Sequence, residues 1–273
     1  MRMANLSRFA LLQKKAPLAG AFFMGVFWQL PALAFCPLPE RAQQVAVRHV
    51  VDGDTVRLVD GRSVRLIGIN APELARKGRP AEPHAEAAKK RLQALVKASG
   101  GKVGLVTGTE PKDKYGRTLA HIYSRTGNNL EAQLLSEGLG YQVAFAPNVH
   151  LAGCQAQAEQ VARQRRLGVW RHSPVQPAWR VRQAGFAVIS GKVGNIERNR
   201  GGIWLHLDGA VTLQVPARLQ RHFPASFLAT LKGRQVEARG WVVDRSRKGA
   251  LKPGQRRWLL PLTDPSMLKA VSG

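Results

Sequence analysis

Four side chains raise the chemical question: Asp54, Arg65, Glu73 and Arg117. Two carboxylates and two guanidinium groups suit a reaction that gathers negative charge around phosphorus. When water attacks a phosphodiester, charge concentrates on the equatorial oxygens. A divalent cation, planar guanidinium donors and a carboxylate that takes the water proton all lower that barrier. Arginine can grip two phosphate oxygens at once and lysine cannot, while a hard cation such as calcium prefers carboxylate and carbonyl oxygens. Each signal alone has a plainer reading. Asp52-Gly53-Asp54 makes a good turn by itself, single arginines carry little information in a chain this basic, and Glu73 after Pro72 would serve as an acid at a helix start.

The elements that must position these residues are short strands. "VAVRHVV" (45–51) and "TVRLV" (55–59) alternate, Asp60-Gly61 is a hairpin turn, and "SVRLIGI" (63–69) follows. A helix is expected from Glu82 to Ala98, with Ala88, Leu92, Leu95 and Val96 on one face and Gly100-Gly101 as its stop. "KVGLVTG" and "RTLAHIYS" read as two further strands. A short helix is capped by Asn128 or Asn129, and a third begins at Asn148 as N-cap. The order β-β-β-α-β-β-α-α fits a small closed barrel with packed helices, an α+β fold dominated by strands. On this reading Asp54 leaves a turn, Asn70 and Glu73 flank the end of the third strand, Arg65 lies on it, and Arg117 opens a later strand. Adjacent strand ends would bring them to one rim.

"VDGDTV", "VRLIGINAPE" and "DKYGR", with "APN" before the third helix and "GVW" after it, resemble the signature segments of the thermonuclease, or staphylococcal-nuclease-like, family over residues 45–171. The resemblance implies an OB-type five-stranded barrel with three helices and calcium-dependent hydrolysis of DNA and RNA. It assigns calcium binding to Asp54, to Asn70 and to the backbone carbonyl of Ala71. It assigns water activation to Glu73, phosphate stabilisation to Arg65 and Arg117, and substrate contact to Lys114, Tyr115 and Phe145. Two positions depart from the family pattern. Asn70 stands where a second aspartate is usual, so the site has one negative charge fewer, with Asp52 nearby to compensate. Phe145 and Val143 stand where tyrosines occur, so Phe145 can stack on a base without donating a hydrogen bond. The rival reading is a nucleic-acid-binding protein with a weakened or silent nuclease domain; a third is an envelope protein whose basic surface binds anionic polymers.

The remaining features bound the setting. Lys and Arg number 42 against 17 Asp and Glu, a net charge of +25, which favours polyanionic partners. Residues 1–34 read as an export signal: basic Arg2, Arg8, Lys14 and Lys15, an apolar stretch, and Ala-Leu-Ala at 32–34 for cleavage. This predicts a periplasmic or secreted protein with no stable membrane anchor after processing. Two cysteines, Cys36 and Cys154, are candidates for a disulfide in an oxidising compartment, or are two unrelated thiols. His84, His121 and His150 lack zinc-ligand spacing. Residues 35–44 form an N-terminal segment, and 172–183 read as a linker. Residues 184–265 show five strands with a helix over Ala217–Leu231, resembling a second OB-like barrel, and 266–273 form a tail. Trp204, Trp241 and Trp258 lie among arginines there, either as core residues or as a stacking surface.

Overall fold

The computed structural model describes residues 36–38, 42–76 and 78–271; the expected export signal lies outside them. Strand β1 (Gln43–Asp52) turns at Gly53 into β2 (Thr55–Leu58), and the Asp60-Gly61 turn leads into β3 (Ser63–Leu66). Gly53 is required by crowding, since a Cβ there would stand 2.6 Å from that of Ala71 and 2.7 Å from that of Ala88. A two-residue strand β4 (Ile69–Asn70) follows, then α1 (Ala85–Ala98), β5 (Lys102–Lys112), β6 (Thr118–Tyr123) and α2 (Leu130–Ser136). Strand β7 (Tyr141–Gln142) and α3 (Ala152–Gln164) complete this part. The five strands β1-β2-β3-β6-β5 close into a barrel, with β3 and β6 parallel. Inward residues such as Val56, Leu58, Val64, Leu66, Val103 and Ile122 pack with Leu92 and Leu95 of α1 and Leu134 of α2.

The second part starts earlier than expected. The stretch read as a linker carries β8 (Val175–Pro177), which pairs with β9 (Gly185–Asn199). Next come β10 (Gly202–Leu207), β11 (Val211–Pro216), α4 (Ala225–Ala229), β12 (Gln235–Asp244), β13 (Trp258–Pro261) and β14 (Leu268–Ala270). β9, β10, β11, β13 and β12 pair in that order, and β12 returns to β9, closing a second five-stranded barrel. β11 and β13 are parallel, as β3 and β6 are in the first barrel, and a helix precedes the fourth strand in both. The two barrels therefore share one topology although no repeat is visible in the sequence. Residues read as tail extend the sheet, because β14 pairs with β12.

Three helix boundaries differ from expectation. α1 starts at Ala85 because Glu82 is held outside it: its N–H donates to the Glu73 carbonyl (2.8 Å) and its carboxylate accepts from the Glu73 N–H (3.0 Å). α3 starts at Ala152, not at Asn148, because the Asn148 amide is spent on β5, accepting from Glu110 N–H and donating to Glu110 C=O, each at 2.9 Å. The expected helix over 217–231 is reduced to α4 and a 3-10 turn over Ala217–His222, with Pro224 standing between them. Asn129, by contrast, caps α2 through Ala132 N–H at 2.8 Å.

The two barrels are packed together. Val143, Ala144 and Ala152 of the first part belong to the apolar core of the second. Beside that seam runs a buried ion network. Arg239 of β12 donates to both carboxylate oxygens of Glu159 on α3 (2.8 and 2.7 Å) and to Glu237 (3.2 Å). Arg163 bonds Glu159 (3.2 Å) and Glu237 (2.6 Å), and stacks 3.8 Å above the Trp170 ring.

Candidate active site

Asp54 is buried where β2 begins. Its Oδ2 accepts from the Ala71 N–H (2.8 Å) and pairs with Arg65 Nη2 (3.0 Å); its Oδ1 accepts from the Thr55 hydroxyl (3.1 Å). Asp52 stands alongside, its Oδ1 accepting the Asp54 N–H at 3.1 Å. Burial pushes the Asp54 carboxyl up to about 6; Arg65 pulls it down and Asp52 pushes it further up. Arg65 is held by the backbone as much as by Asp54. Its Nη1 donates to the carbonyls of Leu66 (2.7 Å) and Ile69 (2.8 Å), and Nη2 lies 3.5 Å from Asn70 Oδ1.

The strand carrying Asn70 owes its position to Gly68 and to α3. Gly68 has φ +88°, and a Cβ there would collide with the Gln155 side chain. That side chain donates Nε2 to the Ile67 carbonyl at 3.0 Å, while the Gly68 carbonyl accepts from Val143 N–H at 3.1 Å. β4 then pairs not with the barrel but with β7, Ile69 opposite Gln142 and Asn70 opposite Tyr141. β7 in turn is anchored by Glu159, whose Oε1 accepts the Gln142 N–H at 2.7 Å. Gln155 and Glu159 are thus positioning residues that the sequence reading passed over. Both are polar residues buried within a helix, and their spacing of four, which puts them on one face, was the available signal.

The structure brings Asp52, Asp54, Arg65, Asn70 and Ala71 into one cluster. Glu73 lies two residues beyond Ala71 on the surface, and its carboxylate has no hydrogen bond or ion pair with a described residue. Arg117 belongs to an adjoining turn. Asp113 accepts from its N–H (3.0 Å) and from its Nε (2.7 Å), and Lys114 and Arg117 lie 5.0 and 5.6 Å from the centre of the Tyr115 ring, which is 73% exposed. The parallel register puts Arg65 beside Leu119. Arg117, the residue just before β6, lies two positions ahead of that pair, at the turn end of the strand. Phe145 stands apart from both clusters, packed on Trp241 with ring centres 5.5 Å apart. Cys36 and Cys154 are joined in a disulfide.

The donors suit a hard cation. Asp54, Asn70, Asp52 and the Ala71 carbonyl all offer oxygen; burial raises the Asp54 carboxyl, and Arg65 opposes that rise without cancelling it. Among the described residues no cluster of three or more His, Cys, Asp or Glu is arranged as a metal site.

The staphylococcal nuclease homologue model matches residues 63–172. The thermonuclease of Staphylococcus intermedius is 35% identical over 134 residues, covering 48% of this chain and 77% of that protein. The chain belongs to the staphylococcal nuclease family. The thermonuclease of Staphylococcus hyicus is 30% identical over 132 residues, 47% of this chain and 76% of that protein. Endonuclease YncB of Bacillus subtilis is 31% identical over 134 residues, 47% of this chain and 62% of that protein. The family match begins within the barrel at residue 63, so it includes Arg65, Asn70, Ala71, Glu73 and Arg117 but not Asp54. It ends at residue 172, and the second barrel lies beyond it.

Proposed function

We propose that this chain is an exported, calcium-dependent nuclease that hydrolyses phosphodiester bonds of DNA and RNA. The observation that carries the reading is the buried Asp54–Arg65–Asn70 cluster, with the exposed Glu73 two residues beyond Ala71 and its carboxylate without a partner among the described residues. Asp54, Asn70 and the Ala71 carbonyl would hold the cation, which when bound supplies positive charge against the phosphate oxygens. Glu73 accepts the proton of the attacking water; its exposure leaves the carboxylate open to solvent and substrate. Arg65, on β3, and Arg117, in the turn before β6, offer guanidinium N–H groups to the phosphate, and pre-positioning by Asp54 and Asp113 limits the ordering entropy each must lose. Lys114 and Tyr115 flank Arg117 and meet the substrate next to the scissile group. Export is supported by the basic and apolar pattern of residues 1–34, and by the Cys36–Cys154 disulfide, which persists in oxidising compartments.

The test is cleavage of plasmid and single-stranded DNA by the mature chain, with calcium and with chelator. Calcium-dependent cutting should fall by about 10²–10⁴ in Glu73→Gln, the range for a lost general base, while thermal unfolding is unchanged. Tight binding without cutting at millimolar calcium would favour the binding-protein alternative, for which the missing charge at Asn70 is the motive.

A further inference from the structure

A strip of aromatic rings crosses from one barrel to the other next to the site. Trp170 meets Tyr141 edge-on at 5.4 Å, Tyr141 meets Phe186 of β9 at 5.1 Å, Phe186 meets Trp241 of β12 at 5.0 Å, and Trp241 meets Phe145 at 5.5 Å. The inner rings serve the seam. The outer pair does not close it: Phe145 remains 45% exposed and Trp241 37%. The two rings meet at a tilt of 45°, and Trp241 also takes the edge contact of Phe186. Trp258 is buried, so Trp241 is not one of a set of equivalent core tryptophans.

The Tyr141 part of the strip adjoins the catalytic cluster and a cleft. Tyr141 is the register partner of Asn70. Tyr141 and Phe186 line a cleft of about 420 Å³ together with Pro72, Glu82, His172 and Gln176. Exposed arginines neighbour the lining residues in sequence. Arg76 and Arg79 pair backbone to backbone in the loop pinned between Glu73 and Glu82, and Arg171 precedes His172. Part-exposed aromatic rings and a chain of net charge +25 match the chemistry of unpaired nucleic acid, whose bases stack on aromatic rings while its phosphates seek cations. A duplex offers no base face to such a surface.

We propose that the C-terminal barrel completes the substrate site: Trp241, with Phe145, forms a base-stacking subsite for a single strand leading away from the scissile phosphate. It rests on the nuclease reading for the identity of its occupant. Trp241 is a binding residue contributed by a part of the chain outside the family match.

The experiment measures binding of a short fluorescein-labelled oligothymidylate, and of a blunt duplex, to the full mature chain in EDTA by anisotropy. Steady-state cleavage of the same strands is then measured in calcium. Trp241→Ala should weaken oligothymidylate binding about tenfold, the effect of losing one stacked base, and raise KM for the single strand more than it lowers kcat. Trp241→Phe should retain most of the affinity because it keeps an aromatic face. Phe145→Ala, on the opposite barrel, should weaken the same strand and guards against a folding failure at Trp241. Duplex affinity should change little in all three. Unchanged oligothymidylate affinity in both alanine variants would overturn the subsite, as would an equal loss on duplex. Self-association of the parent chain that Trp241→Ala abolishes would assign the patch to a second copy and overturn it too. A parent chain that cuts in calcium but shows no stacking-dependent binding removes the subsite and spares the nuclease reading; one that binds through Trp241 but never cuts does the reverse.

Discussion

Arg239→Met isolates what the seam between the barrels contributes. Methionine keeps much of the apolar stem and removes the guanidinium. Arg239 is buried and makes its bonds to Glu159 and Glu237 at 2.7 to 3.2 Å, and a further one to the Gln142 carbonyl at 3.3 Å. Removing one partner of a buried ion pair costs about 3–5 kcal/mol, because the other charge stays behind uncompensated. Here the two carboxylates keep Arg163 at 3.2 and 2.6 Å, and Glu237 keeps Lys269 at 3.4 Å. The cost should therefore fall at the low end, about 3 kcal/mol, which is a large share of the 5–15 kcal/mol typical of a domain. Urea unfolding at neutral pH followed by circular dichroism measures it. The double variant Arg239→Met/Glu159→Gln removes the orphaned charge along with its partner and should recover part of the loss. A loss below about 1 kcal/mol, or a double variant worse than the sum of the single ones, would refute the view that this network is desolvated and mutually dependent.

Three further outcomes follow from the same geometry. Glu237 is opposed by burial, which raises it, but hydrogen bonds and charge from Arg163, with Lys269 and Arg239, hold it down to about 2. A depressed carboxyl stabilises the fold above its unfolded value near 4.5 and loses that contribution as pH falls toward 2. Wild type should therefore lose on the order of 3 kcal/mol over this window through this group, and Glu237→Gln should show a shallower acid limb in urea midpoints. Asn70→Asp restores a full negative charge to the oxygen donors; calorimetry should show calcium binding tighter by about tenfold, and weaker or equal binding would refute the assignment of Asn70 to the cation. The disulfide closes a sequence separation of 118 residues, so the loop-entropy relation gives about 5 kcal/mol for its loss. Thermal unfolding with and without reductant, against Cys36→Ser, reads that directly.

The part of the site built from local signals was open to sequence reasoning. The Asp-Gly-Asp turn, the Asp60-Gly61 hairpin and the alternation of β1 to β3 place Asp54 and Arg65 correctly, because period-two burial and turn chemistry act over a few residues. The first barrel and its three helices followed from the same logic, and so did the second barrel's strands. What escaped were contacts over long sequence distance. Nothing near Asn148 shows that its amide will be consumed by Glu110, so a good cap residue was assigned to a helix that starts four residues later. Nothing near β7 shows that it leaves the barrel to hold β4. The helix expected at 217–231 failed for a local reason that was legible, Pro224, whose ring cannot be accommodated inside a helix. The tryptophans divided in a way composition cannot express: Trp258 went into the core, and Trp241, on an alternate face of β12, stayed partly wet.

The path from the second barrel to the site can be traced bond by bond. Arg239 on β12 holds Glu159; Glu159 holds the backbone of Gln142; β7 pairs with β4; and β4 carries Asn70 beside Arg65 and Asp54. Each link is a hydrogen bond or ion pair among buried or half-buried groups, where a lost partner is not replaced by water and so is costly. A strand of two residues has too few backbone bonds to fix its own position. β4 therefore takes its register from β7 and Gln155, and β7 takes its own from α3 and β12. The second barrel is for this reason part of the mechanical support of the strand that carries Asn70, and residues beyond the end of the family match at 172 help to hold Asn70 in place.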